Sequence, residues 1–194
     1  MAEADAMEEI SKYIFEAGML KRVARSGWWA EKIKHPESAA DHSFRTGIVA
    51  FILAKMEGMD DEKARKLATA ALFHDVHEAR LLDLNKITHR YIDVSRELEK
   101  KVEEEQVKGL PEDIKKSITA VLELPEDERT IVRDADYIEC AFQAKEYLDV
   151  GYKGAASWIT TIKGKVKTES AKKLLERVEK QDSNSWWEGV KRII

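Results

Sequence analysis

A chain of 194 residues with a formal net charge of -4 and a single cysteine, Cys140, suffices for one ordinary domain. A domain of that size buries about 70% of the surface its unfolded chain exposes, so folding requires neither a disulfide framework nor a structural metal. Interspersed Lys and Glu, rather than a basic stripe, argue against a protein that coats nucleic acid, and the longest apolar run, Ile48 to Ala54, falls far short of the roughly 20 residues that a membrane span requires.

The acidic start, Met1-Ala2-Glu3-Ala4-Asp5, lacks the basic and apolar regions of a secretory signal. With one cysteine, the expected location is the reducing cytoplasm. Charged residues reach 36% against about 25% in average proteins, and asparagine occurs only at Asn85 and Asn184, a bias that suits surface ion-pair networks of the thermophilic kind.

Ile10, Tyr13, Ile14, Ala17 and Leu20 recur at helical spacing and predict an amphipathic helix over 4–17. The basic and aromatic segment from Lys21 to Trp29 is interrupted by Gly27 and followed by Pro36, which predicts a structured loop of the kind that carries function. Ser38 and Asp41 form a capping box that opens a second helix through His42, Val49, Ile52, Leu53 and Met56, with Gly58 able to end it. Asp60 and Asp61 cap a third helix, in which Ala64, Leu67, Ala68, Ala71 and Leu72 are expected to form a buried stripe leading directly into His74 and Asp75.

Periodicity fades over Leu81–Ile92, read as a loop with short helical pieces. Further helices are predicted over Ser95–Lys108, from Pro111 through Ile114, Ile118, Val121 and Leu122, and from Glu128 to Gly151 after a break at Pro125. A last helical segment runs over Ala155–Glu179, bent near Gly164, with Trp158, Ile162, Leu174, Leu175 and Val178 expected inside. The tail, 182–194, carries Trp186, Trp187, Val190, Ile193 and Ile194 and is expected to dock on its own domain or on a partner subunit. No sustained period-2 alternation, phosphate loop, nucleophile elbow or repeat occurs, so the expected fold is all-α, one domain over 1–194.

The chemistry concentrates in Leu72-Phe73-His74-Asp75-Val76-His77-Glu78, where ionisable side chains interrupt an apolar helical run. Burying a bare carboxylate or imidazole costs several kcal/mol unless it is paired or binds a metal. A helix end with a last-turn His and a solvent-facing Asp is the plainer alternative. His42 lies in the first turn of the second helix, and Asp136 lies beside the buried face of the long helix, about 200° around it from Asp134. His42, His74, Asp75 and Asp136 would form a mixed N/O donor set suited to one divalent ion, Mn, Co, Zn, Fe or Ni, with coordination positions left for water.

The pattern Asp41-His42-Ser43, Phe73-His74-Asp75, Asp134-Ala135-Asp136 resembles the HD-domain metal-dependent phosphohydrolases. Within them it is most similar to the 5′-deoxynucleotidase branch, over about residues 10–150. The resemblance rests on Leu20-Lys21-Arg22-Val23-Ala24-Arg25-Ser26-Gly27-Trp28 before Pro36-Glu37-Ser38, on His74-Asp75-x-x-Glu78 followed by Asp83, and on Ala135-Asp136. It implies a helical HD domain, usually a homodimer, that hydrolyses nucleoside 5′-monophosphates, preferably deoxyribonucleotides, to nucleoside and phosphate.

By the same resemblance His42, His74, Asp75 and Asp136 hold the metal. Glu78, expected on the same helix face as His74, relays the proton, and Arg25, with Arg22 as substitute, binds the phosphate. Trp28 and Asp83 match positions that bound the sugar. Bacterial members place Arg directly before Trp and Gly before the Asp, whereas this chain has Ser26-Gly27 and Leu82 there.

Two other readings stay open. Guanosine tetraphosphate hydrolysis would fit an HD-x-x-Glu-Asp pattern, but Ala79 replaces its Asp. A helical regulatory domain with a decayed site would be expected to lose ligands that this chain keeps. A second metal would need further histidines, and the spacing of His77 and His89 does not supply them.

Overall fold

The computed structural model describes residues 3–190. Among them nine α-helices and several 3-10 turns form, with no strand; one isolated antiparallel bridge pairs Ala24 with Ser38. Ile193 and Ile194 of the expected docking tail lie outside the described residues, while Trp186 and Val190 are exposed. The chain folds as two compact units: unit 1 comprises 1–44 and 69–125, unit 2 comprises 45–68 and 126–194. No described helix is long and apolar enough to cross a membrane.

Unit 1 begins with α1, Glu3–Ala17, which runs on into a 3-10 turn, Gly18–Lys21; a second 3-10 turn spans Ser26–Glu31. These turns occupy the stretch read as a structured loop. Leu20 and Val23 bury themselves against Ala39, with Ala40 and Ala79 packed alongside. The start of α2, Ala39–Met56, is fixed by the predicted capping box: Ser38 N and Oγ donate to Asp41 Oδ2 at 2.9 and 2.7 Å, and Asp41 N donates to Ser38 Oγ at 3.1 Å. A second cluster joins Val107, Leu110 and Ile118 with Ile10, Tyr13, Phe73, Ile114 and Leu122. It holds together α1, the end of α3 (Asp61–Phe73), α5 (Arg96–Val107) and α6 (Glu112–Leu122).

Two expectations are corrected in the middle of the chain. α3 ends at Phe73, so His74–His77 form a turn and Glu78 starts a separate short helix, α4, Glu78–Leu81. The backbone there changes to tighter bonding, with Val76 N donating to Phe73 O and Glu78 N to Asp75 O. Glu78 and His74 therefore do not share a helix face. Leu72, expected in the buried stripe, is 46% exposed and Ala68 is half-buried, whereas Ala64, Leu67 and Ala71 are buried as expected and Ala70 joins them.

Unit 2 is built on the long α7, Glu126–Asp149, which packs against α8, Ala156–Lys163, and α9, Glu169–Lys180. Ile131, Ala135, Ile138 and Ala141 line its buried side, and Ile159, Ile162, Leu175 and Val178 are buried on α8 and α9. The stretch read as one bent helix is two helices. Thr168 is an extended N-cap whose side chain accepts from Ala171 N, so a new helix starts there. The buried Asp134 carboxylate fixes the link, accepting from Lys167 N (3.0 Å), Thr168 N (2.7 Å) and Thr168 Oγ1 (2.7 Å).

Asp134 thus satisfies several donors at once, and bonds to a buried charged group are each worth about 1.5–3 kcal/mol. Asp134→Ala is expected to lower unfolding free energy by about 2–4 kcal/mol in urea denaturation, with Asp134→Asn in between. A loss under about 0.5 kcal/mol, the level of an ordinary surface change, would contradict this role.

Candidate metal centre

Within unit 1, α2, the turn after α3, α4 and the segment before Ser26 bring together His42, His74, Asp75, Glu78, Arg25 and Asp83. His42, one turn into α2, is fully buried. Its Nε2 lies 3.8 Å from Asp75 Oδ2, and His74 Nε2 lies 3.2 Å from the same oxygen. The two imidazole rings are tilted with centroids 5.4 Å apart. Helix termination at Phe73 makes this arrangement possible, because consecutive side chains in a turn can converge whereas on a helix they diverge by about 100°.

His74 Nδ1 lies 2.7 Å from the Ala71 carbonyl. A carbonyl only accepts, so Nδ1 donates to it and Nε2 is turned toward Asp75, the orientation a metal-ligating histidine takes. Two imidazoles with inward nitrogens beside a carboxylate form a donor set that fits a divalent transition ion. Asp136 is carried by α7 of unit 2, half-buried next to the buried Ala135.

Arg25 is mostly buried and lies among carboxylates: its Nη1 is 3.2 Å from Asp83 Oδ1, 3.6 Å from Asp75 Oδ2 and 4.0 Å from Glu78 Oε1. Arg22, by contrast, is exposed and donates to the Gly18 carbonyl. Glu78 is buried, and its carboxyl is pushed well above the ordinary range, first by burial and then by the negative charge of Asp75, with Arg25 pulling in the opposite direction. Its Oε2 has no hydrogen-bond partner.

Asp83 is anchored from two sides. Ser26 N donates to its Oδ2 (2.5 Å), and Ser26 Oγ donates to its backbone carbonyl (2.7 Å) while accepting from Asn85 Nδ2 (3.1 Å). Leu82, immediately before it, has φ 64 and ψ 165, a conformation costing a non-glycine residue about 1–3 kcal/mol. Glycine adopts such a backbone freely, whereas Leu82 holds it at that cost. Trp28 is buried, its Nε1 donating to Glu37 Oε1 at 3.0 Å.

Sequence reasoning assigned no role to Ser26, Asn85 or Glu37. A signal existed for Asn85: a chain with only two asparagines that places one of them two residues after Asp83 uses its side chain for a purpose, here to bond Ser26 and accept from Ile87 N and Thr88 N.

The profile of the HD domain family matches residues 17–179. The human 5′-deoxynucleotidase HDDC2 is 31% identical over 144 residues, covering 70% of this chain and 67% of the human protein; its bovine counterpart is 33% identical over 141 residues, covering 69% and 65%. Among solved structures, a predicted coding region of Archaeoglobus fulgidus superposes with a TM-score of 0.68 at 35% identity, over 93% of this chain and 99% of that one. A cyanophage S-2L HD phosphohydrolase, solved with dA and one catalytic zinc ion, shares the fold at 16% identity and a TM-score of 0.56, over 86% of this chain and 96% of that one. With the family profile spanning most of its length and taking in residues of both units, the chain belongs to the HD-domain family.

Proposed function

We propose that the chain is a metal-dependent phosphomonoester hydrolase that converts deoxynucleoside 5′-monophosphates to nucleoside and phosphate. The observation carrying this reading is the convergence of His42 and His74 nitrogens on Asp75 Oδ2, with Arg25 and Glu78 beside it. Its relatives named 5′-deoxynucleotidase support the substrate class. In this reading His42, His74, Asp75 and Asp136 hold one divalent ion. The donor chemistry supports this, as does the approach of both imidazoles to Asp75. A bound divalent ion supplies Lewis-acid polarisation of the phosphoryl group and acidifies water.

The protein's own groups do the rest. Arg25 orients the phosphate through its guanidinium. Glu78 holds a proton, passes it to the 5′ oxygen as the phosphorus–oxygen bond breaks, and regains one from the water that forms the new bond to phosphorus, a relay suited to a carboxyl whose burial favours its neutral form. Trp28, fixed by Glu37, walls the 2′ side of the sugar, and Asp83, fixed by Ser26, accepts from the 3′ hydroxyl. The active unit is a single HD domain, in this reading a cytoplasmic homodimer. Association is supported by the apolar residues Phe44, Ile48, Phe51, Ile52 and Met56, exposed at helical spacing along α2.

Glu78→Ala is expected to retain metal and fold while turnover falls by about 10²- to 10⁴-fold; metal content and rate are measured on the same preparation. Near-normal turnover with full metal content would reduce Glu78 to a structural carboxylate. For the sugar, kcat/KM for dAMP over AMP is expected to exceed one by about 5- to 150-fold, the effect of stranding a buried polar group, and to drop toward one in Trp28→Ala. Ratios near one in the parent protein would remove the deoxy preference and leave phosphomonoester hydrolysis standing.

A further inference from the structure

Glu78 opens a helix of four residues, too short to be stable alone, so its geometry must be imposed from outside. Two residues before it, the Val76 carbonyl accepts from Gln106 Nε2 of α5 at 3.0 Å; the same amide nitrogen also donates to Glu16 Oε1 of α1 at 2.9 Å. Two residues after it, Arg80 donates from Nε (2.5 Å) and Nη2 (3.0 Å) to the two oxygens of that same Glu16. The chain on both sides of Glu78 is thereby tied to one Glu16–Gln106 pair, through a backbone carbonyl before it and a side chain after it. His77 lies beside α5 as well, its Nδ1 3.5 Å from Glu103 Oε1, and Glu103 is itself held by Arg96.

We propose that Glu16 and Gln106 are positioning residues: a brace between α1 and α5, outside the donor cluster, that sets the place of the Glu78 carboxyl relative to the reacting phosphate. This rests on the reading of Glu78 as the proton carrier. A purely structural role for Gln106 would show in stability, yet its Oε1 is buried without a hydrogen-bond partner. Replacing the amide by an apolar chain of similar shape therefore removes an unsatisfied acceptor as well as two bonds, and offsets part of its own cost. Catalysis has no such offset, because small displacements of a reacting group are costly, about 10²-fold for 1 Å.

The test is a double-mutant cycle with Gln106→Met and Glu78→Ala, reading kcat, KM, metal content and Tm. Expected is a fall of about 10- to 100-fold in kcat for Gln106→Met, with KM and metal content unchanged, and no further fall when it is added to Glu78→Ala. Glu16→Gln, which weakens the Arg80 arm and keeps an acceptor for Gln106, is expected to give a smaller fall with the same non-additivity, and it decides the matter if Gln106→Met does not fold. An unchanged kcat, a loss of metal, or an equal fall in the Glu78→Ala background would overturn the brace. Full turnover in Glu78→Ala alone would instead overturn the role of Glu78 from which the brace is argued.

Discussion

Three carboxylates, Asp75, Glu78 and Asp83, surround a single guanidinium, that of Arg25, in a largely buried space, and the rest of unit 1 is arranged around that charge imbalance. Each buried ion costs several kcal/mol unless compensated, and one Arg cannot compensate three acids. The relief visible in the protein alone is that Glu78 moves toward its neutral form. A divalent cation at the imidazole nitrogens of His42 and His74 would reverse the balance and let Arg25 face a phosphate. The same arrangement explains why the acids are held separately, since like charges this close repel unless fixed. Asp83 is held by Ser26, Asp75 by the turn that ends α3, and Glu78 by the ties on either side of it.

The distribution of imperfect packing follows the same logic. The positive φ of Leu82 and the unpartnered buried oxygens Tyr13 Oη, Glu78 Oε2 and Gln106 Oε1 all lie in unit 1, within or behind the candidate site. Local strain and unsatisfied polar atoms persist where surrounding structure overdetermines them, and they gather at functional sites. Asp134 of unit 2 shows the contrasting case, a buried acid whose neighbours satisfy it fully enough to join α7 to the α8–α9 link.

Much of the helical layout was legible because it is written in local signals. Ser38 and Asp41 cap each other as their spacing predicts, Asp60 accepts from Lys63 N at the start of α3, and Gly58 and Gly151, both with positive φ, stop α2 and α7. What escaped was set by tertiary bonds that periodicity does not encode. The apolar stripe of α3 runs smoothly toward Glu78, yet the helix yields to a turn after Phe73, where the His74 side chain bonds the Ala71 carbonyl. The break between α8 and α9 depends on Asp134, more than thirty residues away in sequence. For the site, residue types and spacing singled out His74, Asp75 and Glu78 and the family resemblance pointed to Arg25, while Ser26, Glu16 and Gln106 were invisible because their roles exist only through partners distant along the chain.

The most direct measurement of the central claim is anomalous X-ray scattering from crystals of the protein loaded with manganese or zinc, recorded at the absorption edge of that metal. The account predicts one strong peak per chain, within bonding distance of His42 Nε2, His74 Nε2, Asp75 and Asp136. No peak in fully loaded crystals, or a peak held by other residues, would contradict it.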